Sequence, residues 1–203
     1  MMRFNDINLK ECQVFKGFLD KAAQESLLND IRLIVSSAPL FSPLTPRGKP
    51  MSVKITSAGK YGWYSDNNGY RYVTKHPNGV DWPEIPDSVR MIWYDLCPNS
   101  PDPECCLVNF YTKAAKMGLH RDKDEKSFKH PVLSISLGDH ALFRIGGLNK
   151  SDPTESIWLS SGDVLVMAGE SRLAYHGVDR IRFGSSQLLK SGGRINLTLR
   201  VVD

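Results

Sequence analysis

No stretch of the 203 residues approaches an uninterrupted apolar run of transmembrane length, so no membrane span is expected. Met1-Met2-Arg3-Phe4-Asn5-Asp6 lacks both an apolar stretch and a small-residue cleavage site, which argues against a secretory signal and for the cytoplasm. Cysteine is scarce. Cys12, Cys97, Cys105 and Cys106 show no Cys-x-x-Cys spacing, and the adjacent pair would make an awkward disulfide. A zinc-finger or disulfide-framework class is disfavoured, and the four are read as reduced structural thiols. A strong charge of one sign is missing too: 26 Lys and Arg against 22 Asp and Glu leave +4, too mild to demand a polyanionic partner. There is no internal repeat, no low-complexity tract and no linker long enough to divide the chain, so one domain is expected. A monomer is the default expectation, though no sequence feature fixes the oligomeric state.

What is present is ordinary globular composition, 41% hydrophobic and 24% charged, in a chain long enough to bury a core without metal or disulfide staples. Charge is unevenly placed. Arg47, Lys49, Lys54, Lys60, Arg71 and Lys75 share their stretch with a single acid, Asp66, which makes a phosphate backbone a plausible neighbour there. Pro39, Pro43, Pro46 and Pro50 mark Ser36–Pro50 as an extended, turn-rich connection. Before it, Leu19, Ala23, Leu27, Leu28, Ile31, Ile34 and Val35 recur at helical spacing after Asp20, a candidate N-cap, which predicts a helix over 20–36 that covers a sheet. Val89, Ile92, Trp93 and Leu96 predict a second helix over 86–97.

From Cys105 the texture changes to short β-rich runs: Cys106–Tyr111, Val132–Leu137, Ala141–Ile145, Ser156–Leu159, Asp163–Ala168 and Arg194–Val201. Regular short strands, with helices only in the N-terminal half, favour a double-sheet jelly roll over a parallel βαβ fold. The fold class is therefore α+β, mainly β.

His120 and Asp122 stand two apart, and in extended backbone that spacing aims both side chains the same way. A third metal ligand must come from elsewhere, and His176 is the best candidate, since a jelly roll brings distant strands together across its mouth. Two histidines and a carboxylate form the facial triad that binds Fe(II) with positions left open. His76, His130 and His140 have no such partners and are read as structural. His-x-Asp alone is a weak pattern, and the C-terminal segment strengthens it. Period two puts Arg194, Asn196, Thr198 and Arg200 on one face and Ile195, Leu197, Leu199 and Val201 on the other. Two arginines on the inward side of a strand need anionic partners, and a dicarboxylate cosubstrate would supply them. Leu107, Asn109 and Tyr111 alternate in the same way; Asn109 and Tyr111 either add neutral donors to that pocket or are buried, satisfied polar residues.

These motifs, taken in order, resemble the bacterial AlkB family of nucleic-acid dealkylases: Asn109-Phe110-Tyr111, His120-Arg121-Asp122-Lys123-Asp124-Glu125, Ser134-Ile135-Ser136-Leu137-Gly138, Gly146-Gly147-Leu148, Gly169-Glu170-Ser171-Arg172 and Arg194-x-Asn196-Leu197-Thr198-x-Arg200. The match covers about residues 51–201. It implies a double-stranded β-helix over about 105–203, preceded by an extension with a helix over 1–50 and a nucleotide-recognition lid over about 51–80. It implies Fe(II) on His120, Asp122 and His176. It implies 2-oxoglutarate on Asn109, Tyr111, Arg194, Asn196 and Arg200, with Arg194 at the distal carboxylate and Arg200 near Asp122. In the lid, marked by Met51-Ser52-Val53, Gly62-Trp63 and Gly69-Tyr70-x-Tyr72, Trp63 would stack on an extruded base and Tyr70 would reach a phosphate. Asp124 would attract a base made cationic by alkylation, while Tyr72 is read as packing on the barrel. With O₂, the implied reaction decarboxylates 2-oxoglutarate to succinate and CO₂ and frees the alkyl carbon as an aldehyde from a single-stranded or flipped base. Asn149-Lys150 and the loop Phe183–Gly193 depart from the family pattern, which bears on strand preference and substrate range. Two rivals differ in class: an oxygenase of the same type acting on a protein or small molecule, which would not need the basic, aromatic lid, and a noncatalytic jelly roll.

Overall fold

The computed structural model describes residues 5–203. The chain enters through β1 (Asn5–Leu9), β2 (Cys12–Lys16) and helix α1 (Lys21–Ser37), followed by β3 (Lys54–Gly59), β4 (Gly62–Asp66), β5 (Gly69–Val73) and helix α2 (Asp87–Leu96). The remaining strands are β6 (Cys105–Tyr111), β7 (Met117–His120), β8 (Val132–Gly138), β9 (His140–Ile145), β10 (Glu155–Leu159), β11 (Val164–Met167), β12 (His176–Arg182) and β13 (Arg194–Arg200). They form a seven-stranded sheet in the order β1-β2-β11-β8-β13-β6-β3 and a four-stranded sheet in the order β10-β9-β12-β7, all pairs antiparallel. This is the expected mainly β jelly roll. No helix among the described residues is long and apolar enough to cross a membrane.

Strand β13 sets the architecture. It lies between β6 and β8, and all seven of its residues are buried. A strand buried on both faces normally reads as a continuous apolar run; this one alternates because its two faces meet different surroundings. Ile195, Leu197 and Leu199 join Val108, Leu133, Ile135, Leu137, Val164 and Val166 in a cluster that α1 and α2 close. Leu27, Leu28, Ile31 and Ile34 supply the α1 face, and Val89, Ile92 and Trp93 the α2 face. Each such side chain contributes about 1.5–3 kcal/mol through burial. Asp20 caps α1 by accepting the Ala23 N–H at 2.8 Å. The opposite face, with Arg194, Asn196, Thr198 and Arg200, looks between the two sheets. There Ala141, Phe143, Ile145, Leu159, Val178 and Ile181 of the smaller sheet pack against Leu107, Val132, Leu165 and Met167 of the larger one.

Beyond the strands expected from sequence the structure has β1, β2, β3, β4, β5, β7 and β12, and two of these pieces show why their sequence carries no signal. The β1–β2 hairpin turns through Lys10 and Glu11, both in the left-handed region (φ 49° and 61°), where glycine or asparagine normally signals the turn. Asn8 steadies it by accepting the Glu11 N–H at 2.9 Å. The second is β12, whose pairing is interrupted by register shifts at Val178 and whose sequence therefore lacks clean alternation. β4 and β5 pair as a separate hairpin ahead of the barrel. All four cysteines are free and buried, and burial pushes the Cys12, Cys97 and Cys105 thiols up to about 12.

Candidate metal and anion centre

A cavity of about 550 Å³ opens between the sheets, a size suited to a small ligand. The side chains of His120, Asp122 and His176 converge on it, each offering a ligand atom within 4.8 Å of the others. His120 Nε2 lies 3.7 Å and His176 Nε2 3.8 Å from the two Asp122 oxygens. In each histidine Nδ1 is 3.0 Å from a carbonyl two residues earlier, Gly118 and Ala174. A carbonyl only accepts, so Nδ1 carries the proton and Nε2 is left with its lone pair toward the site. Burial, reinforced by neighbouring His120, lowers the His176 pKa to about 4, which keeps the ring neutral and ready to ligate.

The backbone route to this cluster differs from the sequence reading. β7 ends at His120, and Asp122 stands beyond it in an irregular segment. Its orientation comes from side-chain contacts instead of a strand pleat. Arg200 Nη2 donates to Asp122 Oδ2 at 2.8 Å and Nε to the same oxygen at 3.3 Å. Burial alone would raise the Asp122 pKa; the Arg200 guanidinium outweighs it and holds the carboxyl below the usual carboxylate range. Glu125 Oε1 lies 3.3 Å from Arg200 Nε and accepts from the Tyr72 hydroxyl at 2.6 Å, while its Oε2 accepts from Arg172 Nη2 at 3.1 Å. Tyr72 thus binds the barrel, as expected. Glu125 and Arg172 had no assigned role from sequence. Both occur in the quoted motifs, but a charged residue in a polar loop gives no sequence signal that it is buried.

Deeper in the cavity Arg194 is 1% exposed, with its guanidinium over the Tyr111 ring at 5.3 Å and Nη2 donating to Ser136 Oγ at 3.0 Å. Its Nε and Nη1 have no partner, and no carboxylate pairs with it among the described residues. Burial pushes its pKa down, and neighbouring Tyr111 and Asp163 offset this only in part, as expected of a buried cation with no ion-pair partner. An anion in the cavity is what this site lacks. Asn109 Oδ1 and Arg200 Nη1 are likewise buried without partners, and Tyr111 OH lies 3.9 Å from the Met117 sulfur. Asn196 is more fully satisfied, donating to Ser134 Oγ at 2.7 Å and the Ile135 carbonyl at 3.0 Å. Asp139 anchors the loop before Arg194 by accepting the N–H groups of Gly184, Ser186 and Gly193.

At the cavity wall Trp63 and Tyr70 stack, ring centroids 5.4 Å apart and 21° between planes. Trp63 Nε1 donates to Asp124 Oδ2 at 2.9 Å, so the three residues singled out for base recognition come together. Tyr70 lies on Trp63 instead of standing apart from it. The basic stretch is partly neutralised: Lys60 pairs with Glu104 and Asp203, Arg71 with Asp66 and Lys75 with Asp81. Arg47, Lys49 and Lys54 keep no acidic partner among the described residues. His76 is structural, held between the Pro39 carbonyl and Asn78 against Phe41 and Trp82.

A histidine–carboxylate–histidine cluster beside an unpaired buried arginine is the arrangement of an iron and 2-oxoglutarate site, and comparison with known proteins agrees. The 2OG-Fe(II) oxygenase superfamily matches residues 11–200. An alpha-ketoglutarate-dependent dioxygenase AlkB homolog of Caulobacter vibrioides is 52% identical over 188 residues, 92% of this chain and 86% of that one. The chain belongs to the bacterial AlkB family. A solved structure of OsALKBH1 superposes on this AlkB-family fold with a TM-score of 0.81 and 32% identity, covering 98% of each chain. A protein of Arabidopsis thaliana named DNA N(6)-methyladenine demethylase ALKBH1C is 44% identical over 108 residues, 48% of this chain and 24% of its own length. As a member of the family, this protein is an Fe(II)- and 2-oxoglutarate-dependent dioxygenase.

Proposed function

We propose that the protein removes alkyl groups oxidatively from N-alkylated bases of DNA, acting as a monomer on a base in single-stranded or flipped form. The observation that carries the reading is the shared cavity: the histidine–carboxylate cluster, the unpaired Arg194 guanidinium and the Trp63–Asp124 wall all face one space. The demethylase named above supports the substrate class. The alternative, an oxygenase for a protein or small molecule, explains the first two features but gives no use for an aromatic and carboxylate wall on the same cavity.

In this reading His120, Asp122 and His176 hold Fe(II), with Asp122 the single anionic ligand and Arg200 its orienting partner. Arg194 takes the distal carboxylate of 2-oxoglutarate, and Tyr111, Asn109, Asn196 and Arg200 complete its pocket. Bound iron, with 2-oxoglutarate and O₂, supplies the oxidant that hydroxylates the N-alkyl carbon, so that it leaves as an aldehyde while 2-oxoglutarate becomes succinate and CO₂. The residues need not provide an acid/base pair. They position: β4–β5 serves as the nucleotide-recognition lid, Trp63 stacks on the base with Tyr70 behind it and within reach of a phosphate, and Asp124 turns its second oxygen to a cationic ring. Leu107, Val132, Phe143, Leu165 and Met167 line the cavity and exclude water.

The test is mass spectrometry of a methylated DNA oligonucleotide after incubation with protein, Fe(II), ascorbate and 2-oxoglutarate. Loss of the methyl mass, dependent on 2-oxoglutarate and reduced by competing single-stranded oligonucleotide, is expected. Turnover of 2-oxoglutarate that no oligonucleotide alters or couples to would favour the alternative.

A further inference from the structure

The proposed mechanism leaves one fully buried cation unused. Arg172 sits in the 3₁₀ turn Gly169–Leu173, four residues before His176, and is 2% exposed. Its three donor nitrogens reach three different points: Nε to the His130 carbonyl at 2.8 Å, Nη1 to the Asp122 carbonyl at 2.8 Å and Nη2 to Glu125 Oε2 at 3.1 Å. The guanidinium also lies over the Phe128 ring at 5.6 Å. All four partners belong to residues 122–130, a segment without helix or strand that carries Asp122. The planar fork explains why arginine stands here, because a lysine ammonium is a point charge that cannot satisfy three separated acceptors in one plane.

We propose that Arg172 is a second positioning residue of the metal centre, beside Arg200, clamping the backbone segment that carries Asp122 to the turn that leads into His176. With no strand partner beyond His120, the Asp122 backbone has this arginine as its tie to the His176 side of the cavity. Glu125 extends the clamp, since the carboxylate that meets Arg172 also meets Arg200 and Tyr72 of β5. Ligand placement and the seating of the β4–β5 hairpin are therefore linked through a buried ion-pair chain, alongside the Trp63–Asp124 hydrogen bond. The inference rests on His120, Asp122 and His176 being the ligands.

Titration with Co(II) alone, followed by its visible absorption bands, tests both levels. Wild type should bind and Asp122→Ala should not; equal binding by the two would overturn the ligand assignment, and the clamp with it. Arg172→Lys, which keeps the charge and loses the fork, should bind Co(II) roughly 10–100-fold more weakly, with altered bands, the range typical when a residue supporting a ligand is lost. Thermal unfolding of the metal-free protein runs alongside, so that affinity is read on folded protein. If Arg172→Lys does not fold, the Arg172→Met/Glu125→Gln pair, which leaves no unpaired buried charge from this contact, carries the same measurement. Either variant binding Co(II) as wild type does, while melting at a lower temperature, would make Arg172 a merely structural residue and overturn the proposal.

Discussion

Asp122 and Arg194 are the residues on which the chemistry turns, and their charges are compensated in opposite ways. Asp122 has Arg200 against it in the protein itself, whereas Arg194 has no anion until a ligand arrives. Asp122→Ala should therefore abolish turnover and sharply weaken Fe(II) binding, because two neutral imidazoles remain; activity assays and Fe(II) titration check this. Arg194→Ala should mainly raise the 2-oxoglutarate concentration needed for half-maximal turnover. Losing one charge-assisted contact, worth about 1.5–3 kcal/mol, corresponds to roughly 10–150-fold. Trp63→Ala should lose about 1–3 kcal/mol of oligonucleotide binding while uncoupled conversion of 2-oxoglutarate to succinate persists. Equal loss of both reactions, with a lowered melting temperature, would make Trp63 a structural plug. Period-two alternation made Arg194, Asn196 and Arg200 legible in the sequence, because a strand converts spacing into direction. Arg172 and Glu125 were not legible as a clamp, because their burial arises from a loop folding back on a turn, which no local pattern encodes.

Among the elements, β12 and β7 show how backbone proximity builds the centre. His176 pairs directly with His120 across these strands, and Gly177 allows the approach: a Cβ there would stand 2.5 Å from the Met117 carbonyl oxygen. Gly177→Ala should force the strands apart. The expected cost is about 1–3 kcal/mol in stability, from overpacking, together with weaker metal binding; thermal melts and Co(II) titration on the same samples measure both. A variant with a normal melt and wild-type affinity would show that β7 yields without disturbing His120. The two helices and the strands around β13 were readable because each presents an unbroken apolar stripe to one neighbour. β12 escaped because its pairing is irregular, and the β1–β2 turn because Lys10 and Glu11 adopt positive φ without the residues that usually announce it.

Across the whole molecule, the last residues are tied down electrostatically. Glu104 accepts the N–H groups of Val202 and Asp203, and Lys60 bridges Glu104 and Asp203. Burial raises the Glu104 pKa, but those N–H groups and Lys60 prevail and hold it below its ordinary 4.5. The unfolded chain then binds the proton first, so the stabilisation is complete above that value and disappears as pH falls through the depressed one. Glu104→Gln should therefore flatten the fall in melting temperature as pH drops below the ordinary 4.5 of this carboxyl; an unchanged slope would assign acid sensitivity to other carboxylates. A different consequence follows from the order in which the chain is made. β13 is translated after β6 and β8 yet must lie between them. Until it emerges, the larger sheet is split down its middle, and the nascent chain has neither Arg194 nor Arg200. A chain that ends before β13 has nowhere to seat a dicarboxylate and lacks the arginine that orients Asp122. The cosubstrate pocket is therefore the part of the site that the chain supplies last.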